Sequence, residues 1–275
     1  FSTPKNFQPF ILVSVITSAA LIPILLTKKK PPTFKKIAAM SLNELYKSSP
    51  FGIVSSFFYG TIQSALFTLL AVYATSMNFT IFEISIVTFF LAISGAIAQF
   101  PVGKISDFYD RRKVIIVSTF GAAMFAVFTI FVSGQMYLPD GLATSKTWFY
   151  IFFIFFSFCS LPMFSLILAH TNDYITKDKF VAAGAGLQFV FGLGAISGPF
   201  LCSIFMNIVG SNGFFIFLFF FHSLIGVFGI YRMRIRPTIE NPDSQFVAMP
   251  QTITPAGIEL NPTTEPIEEP IKEEN

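Results

Sequence analysis

Apolar residues in this chain fall into long runs rather than into amphipathic helix or strand periodicity. The runs cover about 8–26, 51–76, 83–102, 113–134, 147–169, 180–208 and 213–231, with polar stretches between them. A hydrocarbon core about 30 Å thick needs roughly 20 apolar residues at a 1.5 Å rise, and all seven runs meet that length. Lipid offers no partner to backbone N–H and C=O groups, so such runs must close their own hydrogen bonds as helices. The predicted fold is all-α, a polytopic helical membrane bundle of about seven transmembrane helices.

The polar remainder sets the organisation. Residues 27–50 form the longest connection, opening with Thr-Lys-Lys-Lys-Pro-Pro, where two prolines stop the first helix. Further on, Ser41 and Glu44 have capping-box spacing, and Leu42, Leu45 and Tyr46 share one helical face. That segment is either a short helix on the membrane surface or a polybasic linker held near anionic lipid. Residues 237–275 hold seven prolines and few bulky apolar groups, too few to bury a core, so this tail is expected to be disordered. The expected parts are a first transmembrane helix (1–26), a basic connection (27–50), a six-helix body (51–236) and an acidic Pro-rich tail (237–275).

Composition excludes the main alternatives. With 53% hydrophobic residues, 38 Phe and 12% charged, against about 25% in soluble domains, the chain cannot be a water-soluble globule. Collagen-like, coiled-coil and wholly disordered chains are excluded as well. The net charge of +3 hides a division. The tail carries eight acids against Lys272, a net −7, while residues 1–236 carry 17 bases against seven acids, a net +10.

Fifteen of those 17 bases lie on one side of the predicted spans. They are the lysines of 28–47, Lys104 with Arg111, Arg112 and Lys113, Lys177 with Lys179, and Arg232, Arg234 and Arg236. Only Lys5 and Lys146 fall on the other side. The positive-inside rule then puts the N-terminus outside and the C-terminus in the cytoplasm. Tyr137, Trp148 and Tyr150 flank the outer loop 135–146 as interfacial aromatics do. Cys159 and Cys202 lie in apolar runs, so neither a disulfide framework nor a cysteine metal site is expected. The chain begins with Phe1 and no cleavable signal precedes the first run, which suggests a fragment or a processed product.

The most specific string is Gly103-Lys-Ile-Ser-Asp107-Phe-Tyr-Asp110-Arg111-Arg112, placed in the loop after the third run and preceded by Gln99-Phe-Pro101. It resembles the G-x-x-x-D-x-x-x-R-[KR] loop signature of the major facilitator superfamily, with Asp110 where that signature usually has Gly. Gly103 would allow a close helix approach, Asp107 could accept from a helix N-terminus, and Arg111 and Arg112 could pair with carboxylates or headgroups. Further strings are Ala169-His170-Thr-Asn172-Asp173, Phe191-Gly192-Leu-Gly194-Ala-Ile-Ser-Gly198-Pro199, Tyr231-Arg232-Met-Arg234 and Phe246-Val-Ala-Met-Pro250. In this order they are similar to the C-terminal part of the uncharacterised bacterial YcaD-like branch of that superfamily, over residues 8 to about 262.

The resemblance implies a transporter that moves a small solute by alternating access. It makes the seven runs helices six to twelve of a twelve-helix carrier, with the first five helices absent and residues 51–236 forming one transporter half. Runs two to four and five to seven would be inverted three-helix repeats. Asp107 would then meet a helix of the missing N-terminal half, and the motif would act as a cytoplasmic gate.

Polar positions inside spans are where a solute path is sought. Ser56, Tyr59, Gly60 and Gln63 follow helical spacing and form one stripe, which is read either as solute ligands (Tyr59 and Gln63 first) or as helix packing. Ser157, Ser160 and Pro162 loosen the fifth run, since Pro removes a backbone bond. Gly194, Gly198 and Pro199 suit close packing or a hinge, and Gln188 is a further pathway candidate. His170, Asn172 and Asp173 suggest a second gate cluster. His222 reads as a hydrogen-bonded packing residue and Glu83 as a boundary charge.

No Asp or Glu lies deep in a span, so a coupling carboxylate would have to come from the missing half. The sequence holds no G-x-x-x-x-G-K-[ST] and no H-E-x-x-H, so no enzyme activity, cofactor or metal is expected. The bases flank membrane spans, which makes the bilayer their partner rather than nucleic acid. A seven-helix receptor or sensor, and a non-functional remnant of a split transporter gene, are the competing readings.

Overall fold

The computed structural model describes residues 7–22, 40–135, 142–235 and 248. The chain divides into two units, 1–36 with 267–275, and 37–266. In the first, α1 (Gln8–Ala19) is an apolar helix with proline in its first turn. At 12 residues it is about 18 Å long, short of a hydrocarbon core. The run expected over 8–26 extends past the described residues, as do the lysines of 28–36, Tyr137, Arg236 and the tail apart from Ala248.

Every regular element among the second unit's described residues is a helix. It comprises α2 (Leu42–Ser48), α3 (Pro50–Ser76), α4 (Ile81–Phe108), α5 (Arg111–Gln135), α6 (Leu142–Ser160), α7 (Met163–Asn172), a 3-10 turn at Lys177–Lys179, α8 (Phe180–Val209) and α9 (Gly213–Ile235). Among the described residues six helical stretches are long and apolar enough to cross a membrane, the fourth being α6 and α7 together. These six correspond to runs two to seven, and α1 is the described part of the first run.

Local chemistry sets the helix ends. Thr80 and Glu83 form a reciprocal capping box at the start of α4, and Ser41 caps α2 by accepting from the Glu44 N–H. Ser49 caps α3 ahead of Pro50, which costs nothing at a position whose N–H is unpaired in any helix. Two tight turns use left-handed residues, Asn78 (φ 58°) before α4 and Gly210 (φ 80°) before α9.

Two boundaries differ from the sequence reading. The third run was placed at 83–102, with the Gly103–Arg112 string as a loop, but α4 continues to Phe108 and the connection to α5 is only Tyr109 and Asp110. Asp110 explains the abruptness: its carboxylate accepts from the Arg112 N–H at 3.0 Å and its carbonyl from the N–H groups of Lys113 and Val114, so it caps α5 at once. The fifth run breaks in the middle, where Leu161 and Pro162 separate α6 from α7. Pro199, by contrast, leaves α8 continuous from Phe180 to Val209. One missing N–H is tolerated there because the surrounding ladder is intact.

Helix packing follows a pseudo-symmetric scheme. α3 packs against α8 and α9, α5 against α6 and α9, and α4 against α6. Exchanging α3, α4 and α5 for α6–α7, α8 and α9 maps the α3–α8 pair onto α4–α6, the α3–α9 pair onto α5–α6 and the α5–α9 pair onto itself, as two three-helix repeats would require. α3 and α8 run parallel: Ser56 meets Leu187, Gly60 meets Phe191, and Gly194 and Gly198 meet Phe57 and Thr61.

α2 is a docked helix rather than a free linker. Leu45 is buried against the site of Gly186 on α8, and Lys179 Nζ donates to Glu44 at 2.6 Å. Leu42 and Tyr46 stay exposed.

Candidate functional site

The helix break creates the polar centre of the bundle. Leu161 has its side chain against Gly95 of α4, so closely that a Cβ on Gly95 would collide with it. Its carbonyl accepts from the Tyr59 hydroxyl of α3 at 3.1 Å. One residue earlier, Ser160 Oγ lies 3.0 Å from His222 Nε2 of α9, while His222 Nδ1 lies 2.8 Å from the Leu218 carbonyl. A carbonyl can only accept, so Nδ1 carries the proton and Nε2 accepts from Ser160. His222 is therefore a satisfied packing histidine, with Phe156 edge-on at 5.5 Å.

The polar stripe on α3 divides between packing and an open valence. Ser56 donates to the Leu187 carbonyl at 2.9 Å, and Gly60 permits the Phe191 backbone to touch α3. Tyr59 is spent on the break and packs beside Phe191. Gln63, at the midpoint of α3, is 3% exposed, and neither its amide nitrogen nor its oxygen has a partner. A buried amide without partners costs free energy on both atoms, so the arrangement calls for a group that the described residues do not supply. Gln188 Oε1 on α8 is likewise unpartnered. Ser157 donates to the Phe153 carbonyl of its own helix at 2.7 Å.

The seam beside this centre is made by small residues. A Cβ on Gly194 would run into the Phe57 carbonyl, and one on Gly198 into the Thr61 carbonyl and Ser64 hydroxyl. Thr61 and Ser197 hydroxyls meet across the seam at 3.3 Å. Pro199 follows within the same helix.

At the end of the bundle that carries most bases, the two expected gate clusters are one. Arg111 is buried and donates to Asp107 at 3.0 Å, to the Ala169 carbonyl at 3.3 Å, and to Asp173. It thus ties the α4–α5 turn to the end of α7. Arg112 pairs with Asp110 at 3.2 Å. Gly103 is buried in the last turns of α4, its carbonyl accepting from Ser106 at 2.7 Å. His170 lies between Phe51 and Tyr174, and Asn172 is buried with its Oδ1 unpartnered.

Sequence reasoning missed the bond between Arg111 and Asp173, since 62 residues of separation leave no spacing signal. It also undervalued Glu83, which joins α4 to α6 through Lys146 at 2.6 Å, with that ammonium 5.0 Å from the Phe79 ring centroid. Among the described residues no group of His, Cys, Asp and Glu is placed to hold a metal ion.

The family model of the Major Facilitator Superfamily matches residues 7–138 and 52–264. The chain belongs to this superfamily. It is 27% identical over 186 residues to the uncharacterised MFS-type transporter YfkF of Bacillus subtilis, covering 65% of this chain and 44% of that protein. It is 22% identical over 235 residues to the uncharacterised MFS-type transporter YE1530 of Yersinia enterocolitica, covering 85% and 56%. To the uncharacterised MFS-type transporter YcaD of Escherichia fergusonii it is 19% identical over 215 residues, covering 78% and 52%. The chain spans about half the length of the curated relatives it matches. No solved structure matches it. Membership in the superfamily and six membrane-capable helices make this a multi-pass membrane protein of a transporter family.

Proposed function

We propose that the chain is the part from helix six onward of a twelve-helix carrier that moves a small solute by alternating access. The observation that carries this reading is Gln63, a fully buried amide at mid-membrane with both polar atoms unpartnered. In lipid such a group is retained where it faces a binding partner. The break at Leu161–Pro162, held from α3 by Tyr59, gives the neighbouring wall a place to bend as the solute enters and leaves.

Three further features support the proposal. The chain spans about half of each relative, so the missing N-terminal half is its partner. α4 and α8 are the two least buried long helices, and their apolar faces would meet that half across the solute path. The asymmetry of the bases orients the bundle with its N-terminus outside and its C-terminus in the cytoplasm of a bacterium, in the inner membrane. Asp107, Asp110, Arg111 and Arg112 with Asp173 then form the cytoplasmic gate, biasing an equilibrium between two rocking states. The protein carries no chemistry of its own and acts as a carrier, not an enzyme.

The test uses the full-length protein. A thermal-shift screen against a metabolite library identifies a stabilising solute, and proteoliposomes measure its uptake. Gln63→Leu is expected to abolish both the shift and the uptake while the unliganded melting midpoint is kept or raised. Uptake at the wild-type rate would remove Gln63 from the path. Asp107→Asn is expected to slow uptake without lowering expression.

A further inference from the structure

We propose that the basic end of the bundle holds a site for one phosphate oxygen, presented by a lipid headgroup or by free phosphate. A cavity of about 10 Å³ lies there among Ser49, Phe51, Arg112, His170, Tyr174 and Arg232. That volume is the size of one water, so it takes a single oxygen atom while the rest of the ligand stays outside.

The electrostatics favour an anionic oxygen over water. Arg112 from the start of α5, His170 of α7 and Arg232 from the last turn of α9 line the same niche. The niche also borders Pro50, the first residue of α3, where the positive end of a 27-residue helix dipole lies. Asp110 is engaged by Arg112, and Asp107 and Asp173 by Arg111. Arg232 is only partly exposed and makes no ion pair among the described residues. A half-buried guanidinium without a counter-ion is unfavourable until an anion joins it.

The walls are fixed in advance. His170 packs edge-on to Phe51 with centroids 5.2 Å apart and to Tyr174 at 5.0 Å, so the imidazole cannot swing out of the niche. Ser49 is held by the Gly52 N–H at 3.3 Å and the Thr171 hydroxyl at 3.4 Å. Phosphate suits the site because a guanidinium fork matches its oxygens, and because headgroup phosphates are the anions present where helices leave the hydrocarbon.

Melting midpoints of the purified protein test the site. They are measured in dodecyl maltoside, which carries no phosphate, with and without added phosphatidylglycerol, and separately with added inorganic phosphate. The wild type is expected to gain stability from one of these anions. Arg232→Gln should need about tenfold more of it for the same gain, the size expected from losing one charge-assisted hydrogen bond. Arg232→Lys, which keeps the charge, should fall between, and Arg234→Gln, exposed in the same turn, should match the wild type. A gain with phosphatidylglycerol alone assigns the oxygen to a lipid, and a gain with inorganic phosphate assigns it to a soluble anion. No gain with either, or equal gains in the wild type and Arg232→Gln, overturns the site. Uptake is not the readout, so that failure would leave the transport proposal standing.

Discussion

α3 and α4 are nearly the same length, 27 and 28 residues, yet they are held in opposite ways. The more hydrophobic of the two is the less buried: α4 has a mean hydropathy of 2.1 against 1.4 for α3, with half the buried share. Water would reverse that order. In lipid an apolar side chain gains nothing by leaving the tails, so helices associate through small residues and hydrogen bonds instead. α3 supplies those along its length, with Ser56, Tyr59, Gly60 and Thr61 all engaged by neighbours. α4 presents Phe82, Phe89 and Phe100 outward, the last 80% exposed. It is fastened at its ends by charges, Glu83 to Lys146 at one and Asp107–Arg111–Asp173 at the other, with Leu161 against Gly95 between them.

The largest test of this contrast is Arg111→Ala. It removes a buried cation that two carboxylates share, leaving Asp173 buried beside an empty space. Breaking a buried pair by deleting one partner costs about 3–5 kcal/mol, so the melting midpoint in detergent should fall sharply or expression should fail. Arg111→Lys should recover part of that loss, because one ammonium cannot reach both acids and the Ala169 carbonyl as a planar fork does. A midpoint within a degree of wild type for Arg111→Ala would mean α4 is not held by its end.

Next in size is Gly194→Leu, aimed at the seam rather than the ends. The obstacle to a larger residue is the Phe57 backbone, which cannot turn aside as a side chain can. Overpacking of this kind costs about 1–3 kcal/mol. The matched change on α4, Phe100→Leu, faces outward and should stay within about 0.5 kcal/mol. Equal losses from the two would erase the distinction between helices.

The same contrast explains what the sequence could show. Runs of apolar residues reveal the membrane helices directly, because lipid forces every such run into a helix whatever its neighbours are. Which face is buried was hard to read, since Phe100 and Phe156 look alike in sequence while one is exposed and the other fully buried. Gly194 and Gly198 were legible as positions for close packing or a hinge, and their approach to the Phe57 and Thr61 backbone is what the fold adds. Gln63 stood out as a polar residue at mid-span, but its partners' absence could be seen only once Ser56 and Tyr59 were found occupied. Arg111 was recognised by its motif, and its bond to Asp173 was invisible because nothing in local sequence fixes contacts across the repeats.

Tyr59→Phe isolates the link from α3 to the helix break. It leaves the ring and removes one hydroxyl, so the Leu161 carbonyl loses the hydroxyl that donates to it from α3. The expected cost is about 1 kcal/mol, read as a small fall in melting midpoint. In uptake assays on the full-length protein the change should be greater than that fall implies, because the bond constrains the point where α6 meets α7. A variant with unchanged midpoint and unchanged uptake would mean that the break is held by Leu161 packing on Gly95 alone.

The smallest effect belongs to the outer fastening of α4. Glu83 and Lys146 are both partly exposed, so their attraction is weakened by water and by salt. Glu83→Gln keeps the helix cap in place in outline but removes the charge, at a cost of about 0.2–1 kcal/mol. That difference between wild type and variant should shrink as ionic strength rises, while the Arg111→Ala loss, arising from a buried pair, should persist. If the Glu83→Gln penalty were instead insensitive to salt, the cap geometry at Thr80 rather than the ion pair would be what holds that end of α4.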